Sequence, residues 1–136
     1  MTLDSSALVA IVFGESGYLE FVDRMLEAPH VRIGAPSLVE TGLVVSGRNR
    51  RSNGDEVDAL IEELAVAVVP FGQAERRIAV DAFRRYGRGR HKAALNFGDC
   101  LAYATAMQAR DSLLFVGDDF AKTDVPNALA DRRTPR

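Results

Sequence analysis

Residues 1–13 are Met1-Thr2-Leu3-Asp4-Ser5-Ser6-Ala7-Leu8-Val9-Ala10-Ile11-Val12-Phe13, a short apolar segment followed by an acid and then by a helical pattern. Apolar side chains recur every three to four residues from Leu8 to Val12, which is the spacing of one helical face and predicts a helix over 5–13. Thr2 and Leu3 predict a strand before that helix. Asp4 therefore lies where a strand ends and a helix begins.

Short apolar strands alternate with amphipathic helices along the rest of the chain. Further strands are predicted at 31–34, 66–69 and 113–116, and further helices at 17–27, 36–46, 56–65, 73–86 and 98–109. Parallel strands separated by helices are joined by right-handed crossovers, which place helices on both faces of one sheet. We predict an α/β fold with a central parallel sheet, in a single domain over residues 1–136.

The composition is that of an ordinary globular domain. Of the 136 residues, 47% are hydrophobic and 26% are charged, which argues against disorder, and no apolar run is long enough for a membrane span. The single cysteine, Cys100, excludes an internal disulfide and is interpreted as a small core residue. Asp4 interrupts any signal-like segment at the start. We expect a cytoplasmic protein with no membrane segment.

The net charge argues against nucleic-acid binding through overall charge alone. The chain has 17 basic and 19 acidic residues, which gives a formal charge of −2. Fifteen of the 17 basic residues are arginine, and the densest group consists of Arg84, Arg85, Arg88, Arg90 and Lys92. This group is either a set of phosphate contacts or a solvated helix surface.

Acidic residues occupy equivalent places in the predicted fold. Asp4 follows the first strand, Glu40 lies early in the third helix, Asp99 begins the last long helix, and Asp118 and Asp119 follow the last strand. Strand carboxyl ends and helix amino ends share one edge of a parallel sheet, so these carboxylates are expected to converge. Clustered carboxylates repel one another unless a cation such as Mg²⁺ or Mn²⁺ neutralises them. The pattern indicates metal-assisted phosphoryl transfer or hydrolysis.

Each acid also has a local structural explanation. Asp4 fits the N-cap of the first helix, and Asp99 falls at the third helical position after Asn96. Ser37 and Glu40 have the spacing of a capping box, and the pair Asp118-Asp119 fits a loop cap. Both interpretations stay open for each acid taken alone.

Five blocks of sequence carry a resemblance to a known family. In order and spacing they resemble the PIN-domain ribonucleases, particularly the VapC-type toxins of bacterial toxin–antitoxin pairs. The blocks are Asp4-Ser5-Ser6-Ala7-Leu8, Ser37-Leu38-Val39-Glu40-Thr41, Tyr86-Gly87-Arg88-Gly89-Arg90-His91, Leu95-Asn96-Phe97-Gly98-Asp99-Cys100 and Leu113-Leu114-Phe115-Val116-Gly117-Asp118-Asp119-Phe120.

The resemblance implies a three-layer α/β/α PIN domain that cleaves RNA internally with Mg²⁺ or Mn²⁺. Asp4, Glu40 and Asp99 match the acidic triad that binds metal, and the triad activates the attacking water. Asp119 is favoured over Asp118 as a fourth acid, because the last block is similar to Gly-x-Asp-Phe. The products implied are a 5′-phosphate and a 3′-hydroxyl.

Partners and substrate contacts are also implied. The resemblance predicts a small cognate VapB-like antitoxin, an RNA substrate and a homodimer. Ser6 matches a position where a hydroxyl holds a water or a phosphate oxygen, with a plain first-turn helical role as the alternative. Arg90 and Lys92, and also Arg88, are candidate RNA contacts. His91 is interpreted as a loop residue without catalytic duty.

Two other functions compete with the nuclease. One is an inactive PIN-like module that binds RNA or protein, which the complete acidic set disfavours. The other is a doubly wound phosphatase. That chemistry calls for a second aspartate two positions after Asp4, where the chain has Ser6.

Overall fold

Four short strands form one parallel sheet in the computed structural model, which describes residues 1–130. The strands are β1 (Thr2–Leu3), β2 (Arg32–Gly34), β3 (Ala67–Val69) and β4 (Leu113–Leu114), in the spatial order β3-β2-β1-β4. Thr2 is aligned with Arg32 on one side and with Leu113 on the other. The predicted parallel sheet is confirmed. The end of the predicted domain, 131–136, lies outside the described residues.

Six helices surround the sheet within the described part of the chain. They are α1 (Ser5–Val12), α2 (Tyr18–Glu27), α3 (Ala35–Arg48), α4 (Asp55–Glu63), α5 (Gln73–Tyr86) and α6 (Phe97–Gln108), followed by a single 3₁₀ turn at Phe120–Lys122. None of these helices has both the length and the apolar character needed to cross a membrane.

Two buried clusters lie on opposite faces of the sheet. Leu113 packs in one cluster with residues of α5 and α6, while Leu114 packs in the other with residues of α1 and α2. Successive residues of a strand point to opposite faces, so this alternation separates the two cores. The predicted three-layer α/β/α architecture is confirmed.

The position of α6 depends on a close approach to the sheet. A Cβ atom at Gly34 would lie 2.6 Å from Thr105 Oγ1, so only glycine at the end of β2 lets α6 pack this near. This contact fixes the carboxyl-terminal half of α6 against the end of β2.

The last predicted strand is shorter than expected. It was predicted at 113–116 but pairs only over Leu113–Leu114. Phe115 packs against Phe120 with ring centroids 5.1 Å apart, and the Val116 N–H donates to a side chain of α1 rather than to a strand. Packing of the loop therefore ends the strand early.

Phe83 on α5 is 40% exposed, and the Arg90 guanidinium lies 5.6 Å from its ring centroid.

Candidate active site

Asp4 is a buried acid at the carboxyl end of β1. Its side chain is the N-cap of α1, accepting from the Ser6 N–H at 3.1 Å and from the Ser6 hydroxyl. Burial, with smaller contributions from the charges of Asp99 and Glu40, raises the pKa of Asp4 to about 6, against the lowering effect of the Ser6 hydrogen bonds. Asp4 therefore both caps α1 and lies near the other acids.

Ser6 connects Asp4 to the loop after β4. Its hydroxyl donates to Asp4 and accepts from the Val116 N–H at 3.0 Å. Because the hydroxyl proton is directed at Asp4, the structure gives Ser6 a part in holding the acid and the loop together. Its role as a water or phosphate contact stays a prediction.

Glu40 reaches the site from the second turn of α3. The capping box predicted for Ser37 and Glu40 is wrong, because the N-cap of α3 is Gly34 and Ser37 is already inside the helix. Instead, Glu40 Oε1 accepts from the Ser5 hydroxyl at 2.9 Å. The capping alternative is thereby removed for this acid.

Asp99 lies in the first turn of α6 and takes part in a capping box. The Asn96 N–H donates to Asp99 Oδ2 at 3.0 Å, and the Asp99 N–H donates to Asn96 Oδ1 at 2.9 Å. Burial is the largest cause of its raised pKa, to which the charges of Asp119 and Glu40 add, while the Asn96 hydrogen bond and the Arg88 charge lower it. The predicted capping position is confirmed.

Asp118 and Asp119 follow β4. Both are exposed, and Asp119 directly precedes the 3₁₀ turn. The charge of Asp119 contributes to the raised pKa of Asp99. The choice of Asp119 as the fourth acid stays a prediction.

The donor set has the chemistry that a hard divalent cation prefers. Asp4, Glu40, Asp99 and Asp119 offer carboxylate oxygens, and no three His, Cys, Asp or Glu side chains within residues 1–130 meet closely enough to hold an ion by themselves. Mg²⁺ usually keeps several waters and takes only one or two carboxylates directly. The residues therefore fit such an ion bound partly through water.

The basic residues near the site divide into three groups. Arg88 lies close enough to lower the pKa of Asp99. Arg85 is engaged elsewhere, because it pairs with Asp81 at 3.7 Å and with Asp124 at 3.3 Å. Arg90 stacks over Phe83, and Lys92 is exposed. Arg88 is thus a predicted contact whose charge acts on Asp99.

His91 and Cys100 have structural surroundings. His91 Nδ1 accepts from the Ala93 N–H at 3.0 Å, and its ring lies edge-on to Tyr86. The Cys100 thiol is buried, and burial together with the Asp99 charge raises its pKa to about 11, which disfavours a reactive thiolate.

Two features of the site were missed by sequence reasoning. One is the Ser5–Glu40 hydrogen bond, whose partners are 35 residues apart. The other is an apolar rim of Val39, Leu43 and Phe97, which are 61%, 69% and 74% exposed and line a cavity of about 950 Å³ together with Glu40. Val39 and Leu43 are one helical turn apart, opposite the buried stripe of Thr41 and Val45, and this second apolar stripe was the available signal.

A parallel α/β/α sandwich with an acidic cluster at the strand carboxyl ends defines the class of this molecule, and residues 1–126 match the family model described as PIN domain. The chain is 40% identical over 126 residues to Ribonuclease VapC42 of Mycobacterium tuberculosis, covering 92% of this chain and 96% of that protein. Ribonuclease VapC28 of the same organism is 40% identical over 134 residues, covering 98% and 100% of the two chains.

The chain belongs to the PIN-domain family, among its VapC-type ribonucleases. A solved structure described as a toxin-antitoxin complex from Klebsiella pneumoniae shares the fold, with a TM-score of 0.69, 16% identity and coverage of 93% and 96%. This membership removes the doubly wound phosphatase alternative.

Proposed function

We propose that this protein is an endoribonuclease that hydrolyses RNA phosphodiester bonds at the acidic edge, with Mg²⁺ or Mn²⁺, as the toxin of a toxin–antitoxin pair. The observation that carries the proposal is the surroundings of Asp4. This buried carboxylate has a raised pKa and faces Glu40 and Asp99, an arrangement that opposes folding and is typical of a functional site.

Asp4, Asp99, Glu40 and Asp119 are the residues that would hold the ion, some of them through water. When bound, a divalent ion supplies electrostatic stabilisation of charge on the phosphate oxygens and makes an attacking water more acidic. Hydrogen bonds from Ser6 orient Asp4, and the hydrogen bond from Asn96 orients Asp99. The carboxylates orient the attacking water, and cleavage leaves a 5′-phosphate and a 3′-hydroxyl.

RNA positioning is assigned to the basic residues of the loop after α5. The charge of Arg88 acts on Asp99, and the exposed Arg90 and Lys92 follow in the same loop. Cationic side chains bind the phosphate backbone without regard to sequence, so they offset the repulsion between RNA and the acidic edge. The protein acts in the cytoplasm, as one domain over 1–136.

The cognate partner is a small VapB-like antitoxin. The relatives named VapC ribonucleases and the toxin-antitoxin title of the solved structure support this assignment. An antitoxin segment with a basic side chain fits the acidic edge, because the cation would neutralise the clustered carboxylates.

Two copies of the chain pair through the apolar rim. Val39, Leu43 and Phe97 form an exposed apolar surface of the kind that marks protein interfaces. Leu43→Asp should convert the dimer to a monomer in sedimentation velocity. Leu26→Asp is the matched control, because Leu26 is 68% exposed on α2. A dimer that survives Leu43→Asp would contradict this interface.

The nuclease is tested with purified, antitoxin-free protein on total cellular RNA, in Mn²⁺, in Mg²⁺ and in chelator. Discrete products that require metal and disappear in Asp99→Asn would support the proposal. Retained RNA binding by well-folded protein without any cleavage would instead favour the inactive binding module.

A further inference from the structure

Ser5 makes a contact that its place in the chain does not require. It is the first residue of α1, where Asp4 already provides the cap. The Ser5 side chain is nevertheless 8% exposed and directs its hydroxyl across to α3, where it donates to Glu40 Oε1 at 2.9 Å. A buried hydroxyl that donates to a carboxylate on a different helix indicates a role in positioning that carboxylate.

Gly98 contacts the same Glu40 carboxylate from another helix, α6. A Cβ atom at this position would lie 2.8 Å from Glu40 Cδ and still closer to Oε2. The Glu40 carboxylate therefore packs against the bare backbone of α6, one residue before Asp99. Contacts from α1 and from α6 together restrict a side chain that has three rotatable bonds and would otherwise sample many rotamers.

We propose that Ser5 is a positioning residue that, with Gly98 as a steric wall, holds the Glu40 carboxylate in its orientation toward the acidic cluster. The inference rests on the proposed function only for the use of Glu40 in binding a divalent cation. The proposal gives Ser5 no direct contact with the ion or the RNA. Its effect passes through Glu40 alone, which makes it separable from a general effect on folding.

The substitution Ser5→Ala is expected to preserve the fold. Alanine is a good helix former at this position, and the Asp4 cap is untouched. Loss of a single hydrogen bond to a charged group should weaken Mn²⁺ binding by about three- to tenfold. Ser5→Thr keeps the hydroxyl and should restore most of the affinity.

The experiment measures Mn²⁺ affinity by the free-ion electron paramagnetic resonance signal, on the full chain and without RNA. Ser37→Ala is the matched control, because it removes a buried hydroxyl that makes no hydrogen bond, from the helix that carries Glu40. Melting temperatures verify that all variants fold. Ser5→Ala is then repeated in a Glu40→Ala background, where its effect should disappear.

Equal affinity of Ser5→Ala and wild type would overturn the inference, as would an equal loss in the Glu40→Ala background or in Ser37→Ala. The outcomes separate the two proposals. Wild-type protein that binds Mn²⁺, shows the Ser5 effect and cleaves no RNA would refute the nuclease alone. Protein that cleaves RNA but shows no Ser5 effect would refute the positioning role alone.

Discussion

One aspartate lies near each end of strand β1, Asp111 at the amino end and Asp4 at the carboxyl end, and the charges around the two differ. At the amino end, Asp111 Oδ2 accepts from the Thr2 hydroxyl at 3.1 Å and pairs with Arg32 Nε at 3.3 Å. At the carboxyl end, Asp4 is bonded by Ser6 and faces the negative charges of Glu40 and Asp99. Asp111 is therefore paired with a positive charge, whereas Asp4 lies near two negative charges.

This difference separates structure from function. A partly buried carboxylate that serves stability gains hydrogen bonds and an opposite charge, as Asp111 does with its side chain 17% exposed. Asp4 gains hydrogen bonds, but burial and the nearby carboxylates of Asp99 and Glu40 disfavour its charged form. We therefore propose that the carboxyl edge of the sheet is the functional site.

The largest expected effect is on cleavage. Asp4→Asn should reduce RNA cleavage by about a thousandfold, because the carboxylate that binds metal is lost while the N-cap is kept. Asp111→Asn should leave cleavage near the wild-type rate. Both are measured as single-turnover rates in Mn²⁺, with circular dichroism to verify folding. A similar loss in both variants would erase the distinction between the two ends of β1.

Asp4→Asn should also raise the stability of the metal-free protein at high pH. The pKa of Asp4 is raised from 3.8 to about 6, so the folded protein holds a proton that the unfolded chain has lost between these values. Stability therefore falls as pH rises through this window, by up to about 3 kcal/mol. Asp4→Asn removes this loss.

Urea unfolding in chelator measures the effect. The gain from Asp4→Asn should be fully present at pH 8 and should vanish near pH 3.5, below the unfolded-state pKa. A variant less stable than wild type at pH 8 would show that Asp4 is stabilising as a charged group.

The opposite sign is expected for the acid at the amino end. Asp111→Asn removes the charge that pairs with Arg32, which should lower the free energy of unfolding at pH 7 by about 1–2 kcal/mol. Asp118→Asn serves as the control, because Asp118 is exposed, and it should change stability very little. An unchanged Asp111→Asn protein would mean that this pair adds nothing to stability.

The smallest effect concerns Arg88, the cation beside the acidic edge. Arg88→Ala should weaken binding of single-stranded RNA and reduce the slope of log K against log salt by about 0.7 for one lost phosphate contact. Arg50→Ala, an exposed arginine after α3, is the control. Fluorescence anisotropy over a salt series in chelator gives both slopes, and equal slopes would remove Arg88 from the RNA contacts.

Local features of the site were predictable from the sequence. The strand, acid and helix order identified Asp4 as an N-cap at a sheet edge, and the Asn96–Asp99 spacing identified a capping box. These features depend on hydrogen bonds between residues within a few positions of each other, so short-range spacing is enough to find them.

Contacts between distant elements escaped prediction. The capping box assigned to Glu40 was wrong, because its partner is Ser5 on another helix. Arg85 was left open as either a phosphate contact or part of a solvated helix surface, and the structure pairs it with Asp124. Spacing carries no information about which long side chains meet when two helices pack.

The sequence by itself determined the alternating elements, the parallel sheet and the row of acids at its carboxyl edge, because apolar periodicity and chain direction leave little choice. Only the tertiary structure decided which aspartate pairs with a positive charge and which lies near other carboxylates. Asp4 and Asp111 flank the same strand, yet Asp111 meets β1 from a distance of 109 residues along the chain. Whether a buried charge is neutralised depends on which side chains the packed elements bring beside it, and that is a property of the folded molecule.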